Sequence, residues 1–238
     1  MFKKIIIFGF PHSGTTILRC IISHIENVYE IIDETNKIDD NNSEYTKYNF
    51  VLCKWPYLIN ENELLTNYSD YIKIFIIRNP LYIFSSLNKR FDNSLIIDKN
   101  FEYEHSINKY IDTIKEFNNF KNKNINKLFL IKYEDIFEEN YKNIKYIFDK
   151  IGFIYSDSIF DNLKYNNKVQ YGDNLKIPSE TPLNTCHTEY RLFQINQPFK
   201  NNNDKNKIYL TKDQELILTT DINILETYPE NKLFFLTN

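Results

Sequence analysis

The sequence predicts an α/β fold: a P-loop-like three-layer sandwich whose mostly parallel central sheet is flanked by helices. Three observations carry that expectation. Short apolar runs alternate with helical patterns over most of the chain. The first run, Lys4-Ile5-Ile6-Ile7-Phe8, leads straight into Gly9-Phe10-Pro11-His12-Ser13-Gly14-Thr15-Thr16, which has the G-x-x-x-x-G-x-[ST] frame of a phosphate-binding loop. A later run, Ile74-Phe75-Ile76-Ile77, is continuously apolar, as a strand covered on both faces should be.

Taken in order, the first strand lies near 3–9 and its loop opens a helix near 14–26. Ile17, Leu18, Ile21, Ile22 and Ile25 recur on one face of that helix at three- and four-residue spacing. Further strands are expected near 49–53, 72–77 and 127–132, and further helices near 80–91, 103–119, 135–150 and 211–219. Asn79 and Pro80 suit the cap and first position of the second helix, whose core stripe is Ile83, Phe84, Leu87 and Phe91. Ser43–Tyr48 and Asn93–Asn100 are polar and loop-like. Residues 165–206 lack periodicity and are rich in Asn, Lys and Pro, so they are read as an irregular lid within a single domain spanning 1–238.

Composition narrows the classes. With 238 residues, 42% hydrophobic content, 18 Tyr and 19 Phe, the chain can bury a sizeable core. A net charge of −3 argues against a general nucleic-acid binder. Cys20, Cys53 and Cys186 have no metal-ligand spacing and read as free thiols of a reducing compartment. No run is long enough for a membrane span, and the N-terminal apolar run is too short for an export signal, so the cytoplasm is expected.

The chemistry begins at the loop. Backbone N–H groups of a glycine loop and of the helix that follows converge on one phosphate. Thr15 stands where a nucleotide triphosphatase carries Lys, so the loop suits a nucleotide without a triphosphate. Arg78 closes the apolar strand near 72–77, and Ser86 and Arg90 share a face of the next helix. An Arg fork with a hydroxyl is a phosphate clamp; the plainer reading is a surface Arg beside an ordinary helix cap. His24, His105 and His187 are read as structural or surface residues, and Glu134 and Asp135 as helix starters favoured by the N-terminal dipole.

These motifs, in this order, resemble the sulfotransferases that use 3′-phosphoadenosine 5′-phosphosulfate (PAPS). Pro11-His12-Ser13-Gly14-Thr15-Thr16 is similar to the family's PxSGTT loop, which holds the 5′-phosphosulfate. Arg78, Pro80 and Ser86 are similar to its 3′-phosphate element, with the eight-residue step from Arg78 to Ser86 kept. Ile131-Lys132-Tyr133-Glu134-Asp135-Ile136 resembles a strand-to-helix segment of the family. The resemblance covers about residues 3–150 and is closest in arrangement to the tyrosylprotein sulfotransferases and their bacterial relatives. It implies that Arg90 adds to the 3′-phosphate site and that Tyr133 is an aromatic cofactor contact. It also implies that Glu34, in Asp33-Glu34-Thr35, is the catalytic base and that Lys54, in Cys53-Lys54-Trp55-Pro56, is the catalytic lysine. His12 stands where the family has Arg or Lys, so with Lys54 it is expected as a catalytic residue that offsets the charge growing on the leaving phosphate; Trp55 stands where the family has Asp. The loop that closes over the 3′-phosphate has no match in 165–206.

The implied cofactor is PAPS, with no metal required, and the implied partner is a hydroxyl-bearing acceptor: a protein tyrosine, a carbohydrate or a small alcohol. Two other readings stand beside this one. A P-loop nucleotide kinase would need Mg²⁺ and the missing lysine. A non-catalytic nucleotide-binding module is favoured by His12 and by the one-residue offset of Glu34.

Overall fold

The computed structural model describes residues 2–91, 104–160, 201, 203–204 and 208–233. Five strands run β1 Lys3–Gly9, β2 Val28–Glu34, β3 Phe50–Trp55, β4 Ile72–Ile77 and β5 Leu128–Lys132. They form one sheet in the order β2-β3-β1-β4-β5, with every neighbouring pair parallel. The helices are α1 Thr15–Ser23, α2 Glu61–Thr66, α3 Pro80–Phe91, α4 Ile107–Lys121, α5 Tyr133–Ile136, α6 Lys142–Ile151, α7 Lys212–Thr220 and α8 Ile222–Thr227.

The central strands form because they are apolar on both sides. Ile5 to Phe8 of β1 and Ile74 to Ile77 of β4 are all fully buried. Their alternate residues feed two separate cores. Ile5, Ile7, Ile74 and Ile76 pack with Leu18, Ile21 and Ile22 of α1 and Ile144, Ile147 and Phe148 of α6. Ile6, Phe8, Phe75 and Ile77 pack with α3 and α4, and with Leu64 of α2, Leu218 of α7 and Ile224 of α8. Helices thus cover both faces, giving the three layers expected. Because β1 leads to a helix on one face and β4 to a helix on the other, a crevice opens between the carboxyl ends of these neighbours.

Four expectations change. β2 was not anticipated. The polar stretch at 43–47 is a turn of 3-10 helix rather than a loop, with Asn42 capping it through Glu44 N–H. α2 and α8 add two short helices. The helix expected over 135–150 is broken into α5 and α6, because Glu139, Asn140 and Tyr141 take positive φ angles of 43°, 55° and 65°. Three successive left-handed residues cannot carry the i→i−4 ladder onward. The loop at 93–100, Cys186, His187 and the 165–206 stretch, except Asn201, Asn203 and Asp204, lie outside the described residues.

Candidate active site

The loop between β1 and α1 is shaped by close approach. A Cβ on Gly9 would sit 2.1 Å from the carbonyl oxygen of Ile76, its register partner on β4. His12 takes φ 65°, Ser13 N–H donates to the Phe10 carbonyl at 3.1 Å, and Gly14 takes φ 97°. A Cβ on Gly14 would lie 2.4 Å from Cδ2 of Tyr133. Gly14 caps α1 with no side chain, and the first turn of α1 carries no acidic residue, so no carboxylate of that turn competes for its N–H groups. The Ser13 hydroxyl is fully buried and has no hydrogen-bond partner among the described residues. An unsatisfied buried hydroxyl in such a loop fits a bound phosphate oxygen.

The second group lies at the ends of β2 and β3. Glu34 and Lys54 are register partners. Lys54, only 2% exposed, places Nζ 2.7 Å from Glu34 Oε1 and donates to Thr16 Oγ1 at 2.9 Å. The fold therefore brings Glu34 and Lys54 together, and ties both to the first turn of α1. Trp55 is partly buried and meets Tyr57 edge-on, with ring centroids 5.1 Å apart.

The third group follows β4. Arg78 is 9% exposed. Its Nε donates to Asn203 Oδ1 at 2.8 Å and its Nη1 to the His12 carbonyl at 3.3 Å. Its guanidinium lies 4.4 Å from the centre of the Tyr133 ring. Both hydrogen-bond acceptors are neutral, and among the described residues Arg78 makes no ion pair. Burial lowers its pKa, opposed by Tyr133 and Glu134, yet an Arg remains charged in proteins. A desolvated cation with neutral partners favours an added anion.

His12 joins this group: its Nδ1 lies 3.1 Å from Ser86 Oγ. Its ring reaches Ser86 and its carbonyl receives Arg78, while Lys54 serves Thr16 and Glu34. His105 comes to 6.5 Å from the His12 ring, so it sits beside the site instead of remote from it. Tyr133 is fully buried beneath Gly14 and Arg78, propping both. Arg90 is the penultimate residue of α3, but its side chain lies outside the described residues. Asn79 caps α3 as expected, accepting from Leu81 N–H at 3.1 Å.

Two functional neighbours escaped the sequence. Glu134 Oε1 accepts from Asn79 N–H at 3.0 Å and from Asn203 Nδ2 at 2.8 Å, so Asn203 bridges Glu134 and Arg78. Glu134 does start a helix, as expected, but it also fixes the turn after Arg78. Its place after Tyr133 was the only available signal. Asn203 comes from an asparagine-rich stretch that offers none.

No protein-family model matches the chain, and no curated protein sequence matches it. Solved structures do. Mouse sulfotransferase SULT7A1 complexed with PAP superposes with a TM-score of 0.57 at 15% identity, over 99% of this chain and 88% of that one. The sulfotransferase domain from the curacin biosynthetic pathway matches at 12% identity, with a TM-score of 0.47, over 68% of this chain and 77% of that one. Retinol dehydratase in complex with retinol and PAP matches at 16% identity, with a TM-score of 0.44, over 69% and 66%. The chain has the sulfotransferase fold. Among the described residues, no helix is long and apolar enough to cross a membrane.

Proposed function

We propose that the protein is a PAPS-dependent O-sulfotransferase that acts on an acceptor hydroxyl. The observation that carries the reading is Lys54: a buried ammonium hydrogen-bonded to Thr16 of the anion loop and paired with Glu34. That arrangement joins a phosphate site, a cation and a carboxylate within one contact network, which is what an in-line sulfuryl transfer needs. The sulfotransferase fold supports it independently.

The residues divide the work. Loop N–H groups from Gly14 to Thr16 and the Ser13 hydroxyl hold the 5′-phosphosulfate end, with Pro11, which has no N–H to give, and His12 forming the wall of the loop. Arg78, Ser86 and Arg90 hold the 3′-phosphate, and Tyr133 supports Arg78. PAPS, when bound, supplies an activated sulfuryl group whose leaving group is a phosphate. Glu34 takes the proton of the acceptor hydroxyl as it becomes a nucleophile. Lys54 offsets the negative charge that grows on the departing side, and His12 adds a polar contact from the loop. The loop and the cations do this without a metal ion.

Isothermal titration tests the reading, with metal-free 3′-phosphoadenosine 5′-phosphate (PAP) set against ATP with Mg²⁺. PAP is expected to bind at micromolar concentration, and Arg78→Ala to weaken it by about 10- to 150-fold, the loss of one or two charge-assisted hydrogen bonds. Preference for ATP with Mg²⁺ overturns the proposal in favour of phosphoryl transfer. PAP binding with no transfer from PAPS to any of a panel of phenols, sugars and alcohols leaves a binding module.

A further inference from the structure

Between Glu30 and Glu34, β2 advances four residues while its partner β3 advances two, from Leu52 to Lys54. A regular strand running on from the Glu30–Leu52 pair would set Ile32 opposite Lys54. The two surplus residues put Glu34 there instead. Bulges of this kind sit beside active sites and re-aim a side chain.

The bulge has a specific support. Arg19, on α1, is fully buried. Its Nη1 donates to the Ile32 carbonyl at 2.5 Å, and its Nε lies 2.7 Å from Glu30 Oε1. One guanidinium thus grips the last regular residue of β2 and the middle of the irregular segment. Burying it is costly: Nη2 finds no hydrogen-bond partner among the described residues, the contact of Nε with Glu30 Oε1 is an ion pair without hydrogen-bond geometry, and an apolar side chain would suit this core better on stability alone. Three residues earlier on the same helix, Thr16 contacts Lys54. One face of α1 therefore fixes both members of the Glu34–Lys54 pair, Lys54 directly and Glu34 through the bulge.

We propose that Arg19 is a positioning residue: by holding the Ile32 carbonyl it keeps β2 bulged and Glu34 in register with Lys54. It touches neither cofactor nor acceptor and acts on proton removal only through Glu34. The proposal rests on the reading of Glu34 as the base.

The test uses the full chain with Arg19→Lys, Glu34→Gln and their combination. Because losing one partner of a buried pair destabilises, the paired replacement Arg19→Met with Glu30→Met provides a variant that keeps the core filled. In Arg19→Lys and in the paired variant, kcat for transfer is expected to fall by at least about tenfold, while PAP affinity stays within about twofold. In the Glu34→Gln background, Arg19→Lys is expected to change kcat by less than about twofold, because both substitutions remove one function. Amide exchange at residues 31–35 is expected to quicken, while β1 and β3 stay protected. An unchanged kcat with only a lowered melting temperature overturns the proposal, and so does a full additional loss in the Glu34→Gln background. If the wild type transfers no sulfuryl group, the functional reading fails. The exchange experiment still decides on Arg19, since unaltered exchange at 31–35 shows that it does not hold the bulge.

Discussion

Glu134 shows how a single carboxylate can couple the site to pH. Burial raises its pKa above the usual 4.5; hydrogen bonds from Asn79 N–H and Asn203, and the nearby Arg78, pull the other way without cancelling the effect. Tyr82, Tyr110 and Tyr228, which surround it, have pKa values raised by burial, so they stay neutral across the acid range. A carboxyl whose folded pKa exceeds its unfolded value binds its proton more tightly when folded. Its stabilising contribution is present below the unfolded pKa and is lost as pH rises through the folded one. Glu134→Gln keeps an acceptor for Asn79 and Asn203 and discards the charge. Urea denaturation at a series of pH values is expected to show the variant gaining on the wild type as pH rises from about 4.5. A difference that does not change with pH would refute the assignment. At this scale the sequence singled out Ser13, Arg78, Ser86, Glu34 and Lys54 by motif and spacing, but gave no sign that Glu34 and Lys54 would pair. It was silent where a contact depends on distant chain segments, as with Asn203 on Arg78.

Among the elements, β1 and β4 set the dimensions of the crevice, and at Gly9 they leave no room for a side chain. A methyl group there would meet the Ile76 carbonyl, a backbone atom that cannot swing aside. Gly9→Ala must therefore push the two strands apart at the mouth of the site. It is expected to cost about 1–3 kcal/mol of stability, and PAP affinity should fall with it. Calorimetry and thermal melts check both, and a variant that binds PAP as tightly as the wild type would show that the strand spacing is not set there. The sequence revealed β1, α1, β4 and α3, which combine apolar runs with glycine or proline punctuation, and also β3, β5, α4 and α7, from apolar runs and helical periodicity. β2 lacked such a signal because Val28-Tyr29-Glu30-Ile31-Ile32-Asp33-Glu34 is an edge strand, largely half-buried and bulged, with no clean alternation. α2 buries only Leu64, although its Asn60–Glu63 capping box was open to reading. The break before α6 falls in Glu139-Asn140-Tyr141, where Asn140 is the sole residue with any left-handed preference.

For the molecule as a whole, the proposed site exists only when distant segments meet: the β1 loop, the β2 and β3 ends, the Arg78 turn and Asn203. The Arg78 turn is itself held from afar. Tyr110 of α4 donates its hydroxyl to the Arg78 carbonyl at 2.6 Å, and Asn79 Nδ2 donates to Asn231 Oδ1 at 2.8 Å. An unfolded chain keeps none of these juxtapositions, so a ligand of the site binds the native state alone and stabilises it by mass action. At about one hundred times its dissociation constant, PAP should add about 2.7 kcal/mol. For a chain of this length that raises the melting temperature by roughly 5–11 °C. Arg78→Ala at the same PAP concentration should lose most of the shift, because weaker binding lowers the saturation ratio on which the stabilisation depends. ATP with Mg²⁺ at matched concentration should give a smaller shift, since Thr15 leaves the loop without the lysine that grips a triphosphate. Differential scanning calorimetry separates the cases. Equal shifts from both nucleotides would mean that the loop reads an adenosine phosphate generally, and the discrimination assigned to Arg78 and Ser86 would fail.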